Sequence, residues 1–259
     1  MNKVSYIFLS LFLCFFSSVL SGKEKRTKQQ IANTPNKIIV QPEKQIIPPQ
    51  IETEEENNLL AEFKTYNIGK NTNEGTVSVK DSIIEIVASG GDIWGNEDEG
   101  YFLFKPAKGD FEATVRVHSV SPVNLYTKAG IMARSDLSDK SKHVYFLVFP
   151  DNQERNKNNG GCEFQYREKR GGDSKAIYPD QQTAGEKFNV SFPETWIKLK
   201  REGNKFSASI SKDNENWNEY SVHEQKMPKS LLIGLAVTSH DAKGYTRTEF
   251  SELQIENIE

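Results

Sequence analysis

From residue 111 the chain alternates apolar and polar positions. Phe111, Ala113, Val115 and Val117 interleave with Glu112, Thr114, Arg116 and His118, while Phe206, Ala208 and Ile210 interleave with Ser207, Ser209 and Ser211. A period of two puts every second side chain on one face of an extended chain, so each run predicts a strand with one buried and one wet face. Residues 83–88, 101–105, 143–149, 196–200 and 231–238 predict further strands, as do Cys162, Phe164 and Tyr166 alternating with Glu163, Gln165 and Arg167. Between them stand turn residues such as Lys108-Gly109-Asp110, Asn159-Gly160-Gly161, Gly171-Gly172-Asp173, Glu202-Gly203-Asn204 and Asp213-Asn214-Glu215-Asn216. A short helix over 57–64, using Leu59, Leu60 and Phe63, is the most that the pattern offers outside strands. No repeat recurs, which argues against a propeller. The expectation is an all-β, antiparallel sandwich or barrel occupying residues 63–259.

Upstream the pattern is different. Lys3 precedes an apolar run from Val4 to Leu20, too short in its densest part for a membrane-spanning helix and suited to an export signal. Val19 and Ser21 are small enough to place cleavage after Ser21, giving a signal peptide over 1–21. An uncleaved anchor is the competing expectation, because Lys23, Lys25, Arg26 and Lys28 follow at once and positive flanks prefer the cytoplasmic side. Cys14 lacks the small preceding residues of a lipid-attachment site. Residues 22–62 are polar, contain Pro42, Pro48 and Pro49, and end in Glu54-Glu55-Glu56-Asn57-Asn58, which predicts a flexible, disordered linker. The protein is therefore expected to be secreted or held in the cell envelope, without membrane association beyond the signal unless that signal is retained.

Composition narrows the chemistry. The 259 residues carry 33 Lys+Arg against 36 Asp+Glu, a net charge of −3, which argues against a nucleic-acid partner. Cleavage would remove Cys14 and leave Cys162 alone, on a strand face where cysteine is usually a small buried hydrophobe. The four histidines, His118, His143, His223 and His240, show no metal-ligand spacing, and no nucleophile or phosphate-loop motif is present. Glycoside hydrolysis needs two facing carboxylates. The nearest runs are Glu97-Asp98-Glu99 and the pair Glu163 and Glu168, which lie five residues apart and so point to opposite faces of a strand. No catalytic residues are expected.

Six segments carry a resemblance: Tyr66-Asn67-Ile68-Gly69, Gly91-Asp92-Ile93-Trp94-Gly95, Lys128-Ala129-Gly130-Ile131-Met132-Ala133-Arg134, Phe164-Gln165-Tyr166-Arg167, Trp196-Ile197-Lys198-Leu199, and Ile233-Gly234-Leu235-Ala236-Val237-Thr238-Ser239-His240. Residues 64–256 resemble a bacterial secreted concanavalin A-like (laminin G-like) sandwich family of unknown function, similar to the C-terminal module of β-xylosidases. The resemblance implies a jelly-roll sandwich, association with carbohydrate, and an edge calcium ion, although no Asp-x-Asp loop identifies ligands for one.

Candidate ligand-binding residues follow. Trp94 lies in a Gly-flanked turn, where its ring either stacks on a sugar or plugs the sandwich end with its indole N–H on a loop carbonyl. Asp92 either orients that turn or meets a ligand. Arg134 and His240 end two strand-like runs and are expected at one rim, and Tyr126 and Tyr166, with Tyr101 and Tyr178, offer stacking surfaces. Trp196 is expected to pack. Trp217 follows a Ser211-x-Asp213 turn of structural character. The expected function is a non-catalytic, exported module that binds a polysaccharide or glycoconjugate. The alternatives are a cell-envelope structural or protein-interaction module and, third, a glycoside hydrolase-like enzyme.

Overall fold

The alternating segments assemble into two seven-stranded sheets. The computed structural model describes residues 59–70, 73–150, 161–177 and 195–258. The expected export signal and cleavage site, Cys14, most of the expected linker, residues 151–160 and Tyr178 lie outside the described residues. In chain order the strands are β1 (Lys64–Ile68), β2 (Thr76–Lys80), β3 (Ile83–Gly90), β4 (Ile93–Trp94), β5 (Glu97–Asp98), β6 (Gly100–Lys108), β7 (Asp110–Val120) and β8 (Lys128–Arg134). They continue with β9 (His143–Val148), β10 (Cys162–Arg167), β11 (Lys175–Ile177), β12 (Thr195–Glu202), β13 (Lys205–Ser211), β14 (Trp217–Glu224), β15 (Ser230–Thr238) and β16 (Asp241–Ile258). The first sheet has the order β1-β6-β15-β8-β9-β10-β11, the second β14-β13-β12-β7-β16-β3-β2, and β4 and β5 form a separate hairpin. The ladders are antiparallel.

The alternating strands are those of the second sheet. On β7, Phe111, Ala113, Val115 and Val117 are fully buried and face the first sheet, while Glu112 and Arg116 stand on the outer surface. Ile197 and Leu199 of β12 and Phe206 and Ala208 of β13 join them in the core between the sheets. From the first sheet that core receives Ala129, Ile131 and Ala133 of β8, Val144, Phe146 and Val148 of β9, and Ile233, Leu235 and Val237 of β15.

The first sheet is covered on its other face as well. Every residue of β8 and β9 is buried. Their alternate positions, Met132, Tyr145 and Leu147, form a second apolar cluster with Ile68, Phe102, Phe104, Ala236, Phe149 and Ile93. Ile93 comes from the β4–β5 hairpin, which lies over this outer face; burying such a side chain contributes about 1.5–3 kcal/mol. Close contact between neighbouring strands is also built in: a Cβ at Gly234 would fall on the Leu103 carbonyl oxygen. A strand wet on one face would alternate, whereas β8 and β9 read as continuous apolar runs because both faces are dry.

Candidate functional site

Three adjacent strands set one row of polar side chains on the outer face of the first sheet. Arg134 of β8 pairs with His143 of β9, which pairs with Arg167 of β10. Residue 98, at the end of the hairpin, drops its carboxylate onto that row. Arg167 donates from Nη2 to Asp98 Oδ1 at 2.6 Å and from Nη1 to Oδ2 at 3.0 Å, a two-pronged charge-assisted pair. Arg134 Nη2 and His143 Nδ1 each lie 3.5 Å from Asp98 Oδ2. All four side chains are fully buried. Burial pushes the Asp98 carboxyl up, but His143, Arg167 and Arg134 outweigh it and hold it below its ordinary value. Burial pushes His143 below its ordinary value against the pull of Asp98, with Arg167 and Arg134 adding to the fall, so the imidazole is held neutral.

The guanidiniums also tie loops down. Arg167 donates to the carbonyls of Trp94 (3.1 Å), Gly95 (3.0 Å) and Ser141 (3.1 Å). Arg134 Nε donates to the Asp136 carbonyl at 2.8 Å and Nη2 to that of Ser138 at 2.5 Å. This corrects the sequence expectation for Arg134. It is not a rim residue: its side chain is 0% exposed and committed to Asp98 and to loop carbonyls. Nor does it meet His240. Thr238 pairs with Lys128 and Leu232 with Arg134 across β15 and β8, so Arg134 and His240 stand at opposite ends of those strands, about 20 Å apart at 3.4 Å per residue.

The end at which His240 stands gathers the other candidates. Lys128, the first residue of β8, is buried, and its ammonium donates to Asp92 Oδ1 (2.8 Å), the Ile93 carbonyl (3.1 Å) and Gln165 Oε1 (3.2 Å). It also lies 5.2 Å from the centre of the Trp94 ring. Gln165 in turn donates to the Ile93 carbonyl at 2.6 Å. The second oxygen of Asp92 sits 3.3 Å from His240 Nε2. The His240 imidazole packs on the Tyr126 ring with centroids 5.3 Å apart. An unbroken line of contacts therefore runs Trp94–Lys128–Asp92–His240–Tyr126.

Local turn chemistry presents these residues. Gly95, with φ of 54°, occupies the first of the two positions between Trp94 and Glu97, where a primed hairpin turn requires a positive φ. Tyr126 is lifted by an Asn124-centred turn in which its backbone N–H donates to Asn124 Oδ1 at 2.9 Å. His240 itself has φ of 58°, a conformation in which histidine is over-represented among non-glycine residues. Its turn is anchored by Ser239, whose hydroxyl donates to the Asp241 carbonyl at 2.7 Å, and by Thr127, whose hydroxyl donates to the Ser239 carbonyl at 2.8 Å. A groove of about 580 Å³ runs beside His240, lined by Pro122, Val123, Asn124, Leu125 and Tyr126.

Trp94 is 37% exposed and Tyr126 45%. The indole of Trp94 thus lies partly open above Lys128 rather than plugging the sandwich end. The side chain of Asp92 bridges Lys128 and His240 rather than bonding its own turn.

Other candidates fall elsewhere. Tyr166 lies on the inner-face side of β10, in the row of Val144 and Ala133, and its ring is occupied by His223 at 3.8 Å. That removes it from the Trp94–Tyr126 end. Trp196 is buried with the Arg116 guanidinium over its ring at 4.4 Å, and Trp217 has the Lys198 ammonium over it at 4.2 Å. Asp213 closes its turn by accepting from the backbone N–H groups of Glu215 and Asn216 at 3.0 and 2.7 Å. The Asn216 side chain, followed by those backbone bonds, holds its carboxyl far below its ordinary value. Cys162 is fully buried, and burial pushes its thiol well above its ordinary value. Among the described residues no three His, Cys, Asp or Glu side chains gather to hold a metal ion. Asp98, from the acidic run weighed for hydrolysis, faces inward between two arginines.

Sequence reasoning missed Asp98 and Lys128. The available signal for Lys128 was its place in a run otherwise apolar up to Arg134; for Asp98, flanked by two other acids, there was none.

No curated protein matches the chain. Among solved structures, a functionally unknown protein from Saccharomyces cerevisiae is similar over 77% of this chain and 98% of its own, at 18% identity and a TM-score of 0.58. The GH43 protein BlXynB from Bacillus licheniformis is similar over 81% of this chain but only 41% of its own, at 11% identity and a TM-score of 0.51. The carbohydrate-binding module CBM66 from Bacillus subtilis aligns over 76% of this chain and 96% of its own, at 15% identity and a TM-score of 0.48. At such identities the first two likenesses are of fold alone. A family model described as a protein of unknown function (DUF1349) matches residues 71–258, and the chain belongs to that family.

Proposed function

We propose that this member of a family without an assigned activity is a non-catalytic glycan-binding module, and that it binds through the loop end of its sandwich. The observation that carries the proposal is the pairing of two partly open aromatic rings, Trp94 and Tyr126, with the carboxylate of Asp92 between them. Sugars offer an apolar C–H face and a rim of hydroxyls. Aromatic rings take the former and a fixed carboxylate the latter, which suits weak, oriented binding. A surface on the outer face of the first sheet is disfavoured, because β8 and β9 are buried throughout and Asp98 is locked in its arginine pair. The same burial speaks against hydrolysis at Asp98. We place the protein outside the cytoplasm on the strength of the apolar run at residues 4–20, with that run cleaved after Ser21; an intact N-terminal Met1 in the mass of the exported protein would overturn the cleavage and select a retained anchor.

The test is retention of the full chain on a panel of insoluble and immobilised polysaccharides, beside Trp94→Ala and Tyr126→Ala. Each substitution should weaken binding by about 1–2 kcal/mol, roughly five- to thirtyfold in Kd. Failure to bind any polysaccharide would remove the proposal. The apolar lining of the groove by Pro122, Val123 and Leu125 favours, as a second reading, a protein partner; stoichiometric capture lost in Leu125→Asp but kept in Trp94→Ala would select it.

A further inference from the structure

Lys128 binds, from beneath, two of the groups that the glycan-binding proposal assigns to the ligand. An ammonium has three N–H donors. Those of Lys128 go to Asp92 Oδ1 at 2.8 Å, the Ile93 carbonyl at 3.1 Å and Gln165 Oε1 at 3.2 Å. The same nitrogen lies 5.2 Å from the centre of the Trp94 ring, within the range of a cation–π contact. Asp92, Ile93 and Trp94 follow one another in the chain, so one cation engages a carboxylate, a carbonyl and an indole in succession. Gln165 braces the arrangement from β10, its Nε2 donating to the Ile93 carbonyl at 2.6 Å while its Oε1 accepts from Lys128. With Oδ1 held by Lys128, the Asp92 carboxylate turns Oδ2 to within 3.3 Å of His240 Nε2.

A role in stability explains this placement poorly. A lysine at the first position of a strand can lay its stem along the surface and keep its ammonium in water. Lys128 runs beneath the hairpin with 4% of its side chain exposed. Desolvation of a buried ion pair can outweigh its attraction, and well-packed apolar residues of similar volume are often as stable or more so. From Ala129 to Ala133 the strand is apolar, so a methionine would suit position 128. We infer that Lys128 is a positioning residue of the site: it touches no ligand, and it sets the orientation of the Asp92 carboxylate relative to the Trp94 ring. The inference rests on the glycan-binding proposal and adds to that site a group the ligand never meets.

The experiment measures binding of laminarin, mannan, xylan, inulin and alginate to the full chain by calorimetry, at a temperature where each variant is folded by circular dichroism. Lys128→Met keeps a stem of similar length and removes the three donors. It should weaken binding of every probe that the unaltered chain binds by about tenfold. Asp92→Ala should cost a similar factor. The double variant should be no more than about threefold weaker than either single one, because Lys128 then has no carboxylate left to orient. A residue that served the fold alone would lower the unfolding midpoint and leave the affinity of the folded protein unchanged. Should Lys128→Met fold poorly, the comparison moves to Asp92→Asn with and without Lys128→Met. The asparagine still offers an Oδ1 to Lys128 and carries no charge, so adding Lys128→Met should weaken binding by about threefold or more. Unchanged affinity on adding Lys128→Met in either background, or losses that multiply in the double variant, would overturn the positioning role and leave glycan binding standing. Binding of none of the probes by the unaltered chain would overturn both.

Discussion

Replacing Arg167 with Met tests whether the buried ionic row holds the candidate site together. The methionine fills much of the arginine volume without its charge. It leaves the Asp98 carboxylate, 0% exposed, facing only Arg134 and His143, each at 3.5 Å, in place of a two-pronged pair at 2.6 and 3.0 Å. Removing one partner of a buried ion pair costs about 3–5 kcal/mol, mostly because the other charge is left without compensation. For a domain of this size each kcal/mol moves Tm by about 2–4 °C, so a fall of about 6–20 °C is expected. Asp98→Leu should cost a comparable amount. The double variant, with both charges gone, should be less destabilised than the two single losses added together, giving a coupling of at least about 2 kcal/mol. Calorimetry and urea unfolding of the four proteins provide the assay. A Tm within about 2 °C of the unaltered chain for Arg167→Met, or strictly additive losses in the double variant, would refute the reasoning.

Stability should fall as pH drops below about 6.5, the ordinary histidine value. The native fold holds His143 neutral below that value, so the unfolded chain binds the proton first and gains by up to about 1.4 kcal/mol per pH unit from this group; urea midpoints between pH 7.5 and 5 will report the slope, and His143→Gln should reduce it, leaving the share of His118 and His223, which burial also pushes down. Trp94→Ala should change Tm by less than about 2 °C while weakening glycan retention, since the ring is partly open and its loss leaves no cavity. Cys162 should resist a thiol reagent until the domain unfolds, its thiol being buried and its ionisation pushed well up; reaction within minutes under native conditions would contradict that burial. Gly95→Ala should cost about 1 kcal/mol from its φ of 54° alone, because a Cβ there meets nothing within 4 Å.

Much of the architecture could be read from the residues. The alternation in 111–117 and 206–210 became β7 and β13; the predicted segments 83–88, 101–105, 196–200 and 231–238 each lie within a strand, and 143–149 overruns β9 by one residue, Phe149. What periodicity could not convey was the covering of the first sheet on both sides. His143-Val144-Tyr145-Phe146-Leu147-Val148 has no polar face, a sign of double burial, but it does not say which segment provides the second cover. That segment is a hairpin of residues 93–98, distant in sequence from the strands it covers. For the same reason Arg134 was misread. Its partner Asp98 is 36 residues away, and a strand-terminal arginine looks the same in sequence whether it ends in water or beneath a hairpin. Asp92, Trp94, Tyr126 and His240 come together at one end, whereas Tyr166 stacks on His223 at the far end of its strand, on the opposite face.

The hairpin that seals the first sheet also carries Trp94, and Arg167 grips the carbonyls of Trp94 and Gly95 from below. A mobile loop surrenders about 1–2 kcal/mol of conformational entropy for each residue that a ligand freezes. Here that ordering is complete before any ligand arrives, because the fold has already enforced it through a charge pair in the interior. A small number of contacts at the surface can then yield measurable affinity. Loosening Arg167 should therefore weaken binding without altering a single atom that a ligand touches.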